Sequence, residues 1–176
     1  MIYQARFLIQ IKSNIAYPLF IIFRKSLDEG IVPHDWKCAN ISPVFKKGNR
    51  NLADNYQPVS LTSQIYKLFE SIIRDALVKH LEENKSLNDT QHGFKKGRSC
   101  LTNLLSFMDK VAGCLDSGEP VDAIFLDFAK AFDKVPYQKL AIKLEAHGVT
   151  GKLLKWIVNW LEGRKQRVCI NGIKSI

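Results

Sequence analysis

Asp127 is the residue whose type and position best suit chemistry on a substrate that is bound through a metal ion. It follows a mostly apolar run, so the sequence predicts a buried strand over residues 121–128. A carboxylate at the end of such a strand can leave the core and bind a hard divalent cation such as magnesium. The alternative from spacing alone is that Asp127 caps the turn predicted at 129–134.

Two neighbouring carboxylates add little to a metal site. Asp122 lies five positions before Asp127, and an odd separation along a strand places two side chains on opposite faces. Asp133 lies in the predicted turn, where aspartate more often bonds its own backbone. Two-metal nucleotidyl transfer needs several carboxylates around ions that lie about 3.5–4 Å apart. The chain contains no Asp-Asp pair, so the residues predict only part of such a site.

Two basic clusters suit a polyanionic partner. Lys46, Lys47 and Arg50 lie in a turn between predicted strands at 41–45 and 56–61, which could hold the cations against a phosphate. Lys95, Lys96 and Arg98 precede a predicted helix, whose N-terminal N–H groups could assist anion binding. For both clusters, a solvated loop without a ligand is the alternative.

Composition agrees with a basic folded protein. The 176 residues include 26 Lys and Arg against 17 Asp and Glu, for a net charge of +9, which favours nucleic acid first and an anionic membrane surface second. Helices are predicted at 15–27, 65–81, 101–115, 138–147 and 151–162, with Trp156 and Trp160 in the core. The apolar run at 15–23 is too short to cross a bilayer. Four cysteines without a C-x-x-C pair indicate reduced thiols in an intracellular protein, in the nucleus or the cytoplasm.

A hairpin is predicted near the end of the sequence. Residues 167–170 have strand character and are followed by Asn171-Gly172, a strong signal for a tight β-turn. Only four residues follow that turn. We therefore expect the hairpin to lack its return strand and the sequence to stop inside an element.

Five ordered segments together resemble the reverse transcriptases of non-LTR retrotransposons, jockey-like elements in particular. The segment VDAIFLDFAKAFDKVP at 121–136 is similar to the first catalytic palm motif of that family. Two segments are similar to the fingers motifs of the family: DWKCANISPVFKKG at 35–48 and NYQPVSL at 55–61. The motif that follows them in the family is similar to QHGFKKGRS at 91–99, and the segment before the second palm motif is similar to RKQRVCING at 164–172.

The resemblance implies a role for individual residues. Asp127 matches the first catalytic, metal-binding aspartate, and Phe132 matches the ring that excludes a ribose 2′-hydroxyl. Either Lys46 or Lys47 matches a cation that contacts the triphosphate, whereas Gln57 stands where the family usually has arginine. The resemblance also implies template or packing roles for Gln91, Gly93 and Arg98. The basic clusters by themselves predict nucleic-acid contacts at Arg50, Lys95 and Lys96.

The resemblance also implies a fold and a function. The expected fold is α+β, with right-hand polymerase fingers and an incomplete antiparallel palm: a helical segment at 1–39, fingers at 40–115 and the start of the palm at 116–176. The implied parent activity is RNA-directed DNA polymerase, which extends a DNA primer on an RNA template with deoxynucleotides and Mg²⁺. No membrane is expected among the partners. The family's Pro-Gln-Gly and Tyr/Phe-x-Asp-Asp segments are absent, so we expect no activity from this chain alone. A second chain could supply the rest of the palm.

Two alternatives remain at this point. The first is a non-catalytic, basic module that binds nucleic acid. The second is a helical interaction protein whose positive charge is incidental.

Overall fold

The computed structural model describes residues 9–170 and 172–175. They belong to two compact units, one within 1–77 and 136–176 and the other within 78–135. The functional division at residues 39 and 115 remains a prediction. The helices are α1 (Lys12–Glu29), α2 (Gln64–Glu83), α3 (Cys100–Asp116), α4 (Tyr137–Ala146) and α5 (Gly151–Leu161). Each corresponds to a helix that the apolar periodicity predicts.

The sheet belongs to the first unit. Its strands are β1 (Cys38–Phe45), β2 (Tyr56–Leu61), β3 (Lys165–Ile170) and β4 (Ile173–Lys174), in the order β2-β1-β3-β4. The β1–β2 and β3–β4 pairs are antiparallel, and the β1–β3 pair is parallel. The fold is therefore mixed α and β with a small mixed sheet, which is compatible with the α+β prediction.

The predicted C-terminal hairpin is present in a short form. Cys169 pairs with Lys174, and Ile170 pairs with Ile173. The expectation that the hairpin lacks a return strand is therefore wrong, because two residues are enough to form one antiparallel step. Gly172 has the positive φ of 83° that tight turns favour, whereas Asn171 lies outside the described residues.

An aromatic cluster forms the core of the first unit. The rings of Phe23 and Phe69 stack with centroids 4.4 Å apart, and Trp156 meets Phe69 edge-on at 5.2 Å. Trp36 packs edge-on against both phenylalanine rings. Trp156 is 1% exposed, which confirms its predicted place in the core. The complete buried cluster is Phe23, Val32, Trp36, Tyr66, Phe69, Val149, Trp156 and Ile157.

Buried polar bonds join the end of α1 to α5. Trp156 Nε1 donates to Ser26 Oγ at 2.9 Å, and that hydroxyl donates to the carbonyl of Ile31 at 2.6 Å. The N–H of Val32 donates to Asn159 Oδ1 at 2.9 Å. These bonds satisfy groups that burial would otherwise leave unpaired, at a cost of about 1–3 kcal/mol each. Tyr66 is fully buried. Burial is the larger cause that raises the pKa of its phenol, and the nearby carboxylate of Glu70 is the second cause.

The second unit is built around α3 and two irregular segments. Ser99 caps α3 by accepting from the N–H of Thr102, whose hydroxyl accepts in turn from the N–H of Ser99. His92 is buried beside this cap, with Nδ1 2.9 Å from Thr102 Oγ1. The loop at 84–99 is thereby attached to the beginning of the helix.

Two further sequence predictions concern membranes and cysteines. Within the described residues, no helix is both long and apolar enough to cross a membrane. Cys38, Cys100, Cys114 and Cys169 are all free thiols.

Candidate nucleic-acid interface

The strand predicted over 121–128 does not form, and this prediction was wrong. These residues have no regular secondary structure, and all of them are exposed. Their large apolar side chains are more than four-fifths exposed at Ile124 (85%), Phe125 (82%), Leu126 (88%) and Phe128 (82%). An apolar run favours burial, but a strand also needs a neighbour that accepts and donates its backbone hydrogen bonds. No strand within the described residues pairs with this segment.

Asp127 is therefore an exposed carboxylate on a segment that pairs with no strand within the described residues. In the described part of the chain, no three His, Cys, Asp or Glu side chains lie close enough together to hold one metal ion. Magnesium usually takes one or two protein carboxylates in a near-octahedral shell, and two-metal sites need several. Asp127 suits one of those positions, but the described residues do not form a magnesium site by themselves.

Phe132 also lies on the surface, in the turn after Asp127. It is 77% exposed, so the alternative of a core aromatic residue does not describe it. Its ring meets the ring of Phe94 edge-on, with centroids 6.0 Å apart and planes at 90°. The turn itself is closed by the N–H of Lys134, which donates to the carbonyl of Lys130 at 3.1 Å. The sequence predictions gave Phe94 no role. The signal that could have indicated one is an aromatic residue in a polar loop that contains glycine.

The first basic cluster lies on an ordered turn between β1 and β2. The N–H of Lys46 donates to the carbonyl of Asn55 at 2.9 Å, and Asn55 Nδ2 donates to the carbonyl of Asn49 at 2.8 Å. Gly48 has φ of 88°, and a Cβ there would lie 2.8 Å from Asn55 Nδ2. Glycine is thus required both by the backbone and by the close approach of the asparagine. The turn presents Lys46 and Lys47 to solvent on a well-bonded backbone.

Arg50 differs from the two lysines because it already has a partner. Its guanidinium lies 4.9 Å from the centre of the Phe45 ring, and Phe45 packs edge-on against Tyr56 at 5.4 Å. The hydroxyl of Tyr56 donates to the carbonyl of Arg50 at 2.9 Å. These contacts hold Arg50 at the edge of a groove that is also lined by Ile41 and Pro58. Gln57, the next residue along β2, pairs with Val44 and is exposed.

The three cations of the second basic cluster differ in their contacts. Lys95 Nζ lies 3.2 Å from Asp89 Oδ1, and the lysine side chain is only 18% exposed. Lys96 and Arg98 are exposed and make no ion pair within the described residues. Gln91 Nε2 donates to the carbonyl of Gly93 at 3.2 Å. Because Ser99 already accepts one of the first N–H groups of α3, fewer of them remain for an anion.

The predicted site residues thus fall into two groups. Gln57 and the Lys46–Arg50 turn belong to the first unit, and their hairpin brings them together. The second unit contains the remaining residues with a predicted role, which are Gln91, Gly93, Lys95, Lys96, Arg98, Asp127 and Phe132.

Comparison with known proteins identifies the class that this fold and these motifs define. Residues 44–175 match the reverse transcriptase (RNA-dependent DNA polymerase) family. The match covers most of the chain, and the chain belongs to this family. The predicted resemblance to non-LTR retrotransposon enzymes is confirmed.

The individual relatives are proteins of transposable elements. The chain is 30% identical over 128 residues to a probable RNA-directed DNA polymerase from transposon BS of Drosophila melanogaster, covering 72% of this chain and 14% of that protein. It is 29% identical over 134 residues to the corresponding protein of the X-element from the same organism, covering 76% and 15%. It is 25% identical over 120 residues to the Pol polyprotein of the R2 element from Popillia japonica, covering 68% and 16%. The chain therefore spans a small part of these relatives.

Proposed function

We propose that this chain is a partial reverse transcriptase domain that contributes fingers and the beginning of the palm to an RNA-directed DNA polymerase. The observation that carries the proposal is the family match over 44–175, which includes both the ordered basic turn and Asp127. The ligands would be an RNA template, a DNA primer and deoxynucleotides. Lys46 or Lys47 would contact the triphosphate, and Phe132 would exclude a ribose 2′-hydroxyl.

We further propose that residues 1–176 do not polymerise by themselves. Magnesium, when bound, would supply charge stabilisation at the reacting phosphate, and Asp127 would be one of its ligands. The chain has no Asp-Asp pair, and its described residues gather no second and third ligand around Asp127. The remaining ligands would have to come from further polymerase sequence, in the same protein or in a second chain.

Primer extension with complementation tests this function. The chain would be produced alone and together with the polymerase segment that follows the matched region in the transposon BS protein. We expect no extension on an RNA template by the chain alone and extension by the complemented protein. Asp127→Asn should abolish that extension, whereas Asp122→Asn, which removes the same charge five residues away, should preserve it. Extension by the chain alone that Asp127→Asn removes would contradict the proposal.

Gln57 offers a second measurement on the complemented protein. The family usually has arginine at this position, and a hydrogen bond to a charged group is worth about 1.5–3 kcal/mol. Gln57→Arg should therefore lower the KM for deoxynucleotides about tenfold or more. Gln64→Arg adds the same charge at the beginning of α2 and should leave the KM unchanged.

A non-catalytic nucleic-acid-binding module is the second candidate. It is favoured by the exposed Lys46, Lys47, Lys96 and Arg98, none of which makes an ion pair within the described residues. If a few phosphates are neutralised, the affinity for RNA should fall roughly tenfold or more between 50 and 200 mM salt. RNA binding by a complemented protein that never extends a primer would favour this candidate over the polymerase.

A further inference from the structure

Helix α3 carries a continuous stripe of apolar side chains that face solvent. Its residues recur at spacings of three and four, which place them on one side of the helix. Five large side chains of the stripe are between 53% and 63% exposed: Leu101, Leu104, Leu105, Met108 and Leu115. Val111 and Ala112 continue the same stripe, and no residue of this helix is buried. We call the stripe the apolar face of α3.

The polar side of α3 is the side that its own unit uses. Thr102 takes part in the cap with Ser99, and its hydroxyl lies 2.9 Å from Nδ1 of the buried His92. The polar residues occupy the positions that the apolar face leaves free: Thr102, Asn103, Ser106, Asp109, Lys110 and Asp116. An amphipathic helix normally buries its apolar side instead. The apolar face is therefore available to a partner.

The spacing of the apolar face is the same when it is read from either end. Met108 is its centre, and Leu101 and Leu115 lie seven residues to either side. The other members lie three and four residues from the centre on each side: Leu104, Leu105, Val111 and Ala112. A two-fold dimer uses the same patch on both subunits, so the patch must be complementary to itself. An antiparallel pair of α3 helices meets this condition, with Met108 on the two-fold axis.

The two ends of α3 carry opposite charges. Lys96 and Arg98 come just before the helix, Asp116 is its last residue, and Glu119 follows. All four are exposed, and none of them makes an ion pair within the described residues. An antiparallel pair places the basic beginning of one helix beside the acidic end of the other, whereas a parallel pair places like charges together. The helix dipoles also favour the antiparallel arrangement.

We propose that α3 joins two copies of this chain into an antiparallel, two-fold dimer through its apolar face. The leucine and methionine side chains of each helix would pack between those of the other and leave water. Phe107 widens the face, and its ring lies 5.8 Å from that of Phe125, so the 121–128 segment adjoins the interface. A single pair of helices about 25 Å long makes a small interface, so we expect a dissociation constant that is roughly micromolar. This inference does not depend on the polymerase function.

An anionic membrane surface suits the apolar face less well than a second copy does. Amphipathic helices that lie on membranes carry lysine and arginine along their polar side. The polar side of α3 contains Asp109 and Asp116 with one lysine, Lys110. Because the net charge of that side is negative, anionic lipid would be repelled along the helix.

Sedimentation velocity of the whole chain over a range of concentrations tests the dimer. The unmodified chain should show an equilibrium between monomer and dimer. Leu104→Lys with Met108→Lys places unpaired charges at the centre of the interface and should raise the dissociation constant about tenfold or more. Asn103→Lys with Ser106→Lys adds the same charge to the polar side of the same helix and should leave the dissociation constant unchanged. Circular dichroism shows whether each variant is folded.

Two native cysteines test the direction of the helices without any change at the interface centre. Cys100 and Cys114 lie on one side of α3 near its opposite ends, about 21 Å apart, so a short bis-maleimide cannot join them within one helix. The antiparallel dimer places Cys100 of one copy near Cys114 of the other. Cross-linking should therefore yield a dimer whose joined peptides contain Cys100 and Cys114. Cys100→Ser or Cys114→Ser alone should remove this product, and mixing the two variants should restore it.

Several results would overturn the inference. They are a chain that is monomeric at every concentration, an equal change in both lysine variants, or links between like cysteines in place of Cys100 with Cys114. A monomeric chain that binds phosphatidylserine vesicles through Leu104 and Met108 would also reject the dimer, in favour of a membrane. Primer extension after complementation judges the polymerase separately. Extension without any dimer rejects only this inference, and a dimer without extension rejects only the polymerase.

Discussion

The rings of Phe94 and Phe132 meet edge-on, with centroids 6.0 Å apart and planes at 90°. Both side chains are largely exposed, at 89% and 77%. Phe94 reaches this position with φ of 59°, in the left-handed region that bulky residues rarely adopt. An aromatic pair of this kind contributes about 0.5–1.5 kcal/mol beyond its buried area. Phe94 therefore restricts the orientation of the ring that is proposed to select deoxynucleotides.

Removing either ring should weaken the selection of deoxynucleotides over ribonucleotides, and removal of Phe132 should have the larger effect. In the complemented polymerase, Phe132→Ala should admit ribonucleotides, because discrimination of this kind rests on steric exclusion. Phe94→Ala should have a smaller effect in the same direction, since Phe132 remains but loses its partner. The measurement is the ratio of kcat/KM for a deoxynucleotide to that for the matching ribonucleotide.

Phe107→Ala is the control for this pair. Phe107 also packs against an exposed ring, that of Phe125 at 5.8 Å, but it belongs to the middle of α3. It should leave the sugar ratio unchanged. If Phe132→Ala also leaves the ratio unchanged, the assignment of Phe132 is wrong.

Local patterns predict most of the fold because helices and hairpins depend on neighbouring residues. The apolar stripe of α2 and the glycine that ends α1 were sufficient for their elements. The segment at 121–128 was not predictable in this way, because a strand is formed only with a partner. Its apolar run indicates a preference for burial, and the described residues do not provide that burial.

Side-chain partners explain the remaining differences at the site. Nothing in the sequence shows that Lys95 contacts Asp89 while Lys96 makes no ion pair within the described residues, because the pairing depends on how the loop folds. Similarly, the alternation of Lys165 and Arg167 places them on one face, but the bond from Arg167 to Asn40 requires the parallel pairing of β3 with β1. That pairing joins residues 127 positions apart.

Gly30→Ala should destabilise the first unit. Gly30 ends α1 with φ of 66°, and a Cβ there would lie 2.6 Å from Cδ of Lys155. The substitution combines an unfavourable backbone conformation with a steric clash, so we expect a loss of about 1 kcal/mol or more in the free energy of unfolding. Urea denaturation measures this loss.

Gly113→Ala is the matched control for Gly30→Ala. Gly113 lies within α3, and a Cβ there meets no atom within 4 Å. Alanine has the higher helix propensity, so the variant should gain about 0.5–1 kcal/mol. If the two variants change stability in the same direction, the conformational argument fails.

The acid sensitivity of the first unit should depend on Lys152. Lys152 Nζ donates to Asp28 at 2.8 Å and Arg24 Nε donates to it at 2.7 Å; these bonds lower the pKa of Asp28, with Lys152 the larger cause. A carboxyl with a lowered folded-state pKa stabilises the fold above its unfolded pKa, and this contribution is lost as the pH falls through the folded pKa. The relevant window is therefore below about pH 4.

A titration by NMR of the Asp28 carboxyl measures the effect directly. Lys152→Gln should raise the pKa of Asp28 toward its ordinary value and make unfolding less dependent on acid. Lys139→Gln removes a lysine of α4 that makes no ion pair within the described residues, and it should leave the titration of Asp28 unchanged. If both variants change the pKa of Asp28 equally, the overall charge of the protein and not the contact with Lys152 determines it.

The exposed apolar segment at 121–128 should make the chain self-associate. It presents unpaired backbone groups together with Ile124 and Leu126, which are 85% and 88% exposed. Unpaired backbone groups beside exposed apolar side chains favour pairing between chains, and charged residues suppress it. Ile124→Lys with Leu126→Lys should therefore shift the chain toward monomer in sedimentation velocity. Tyr17→Lys with Ile142→Lys adds the same charge at apolar positions that are 71% and 67% exposed on helices, and it should leave association unchanged. If both double variants reduce association equally, net charge controls it and the 121–128 segment has no special role.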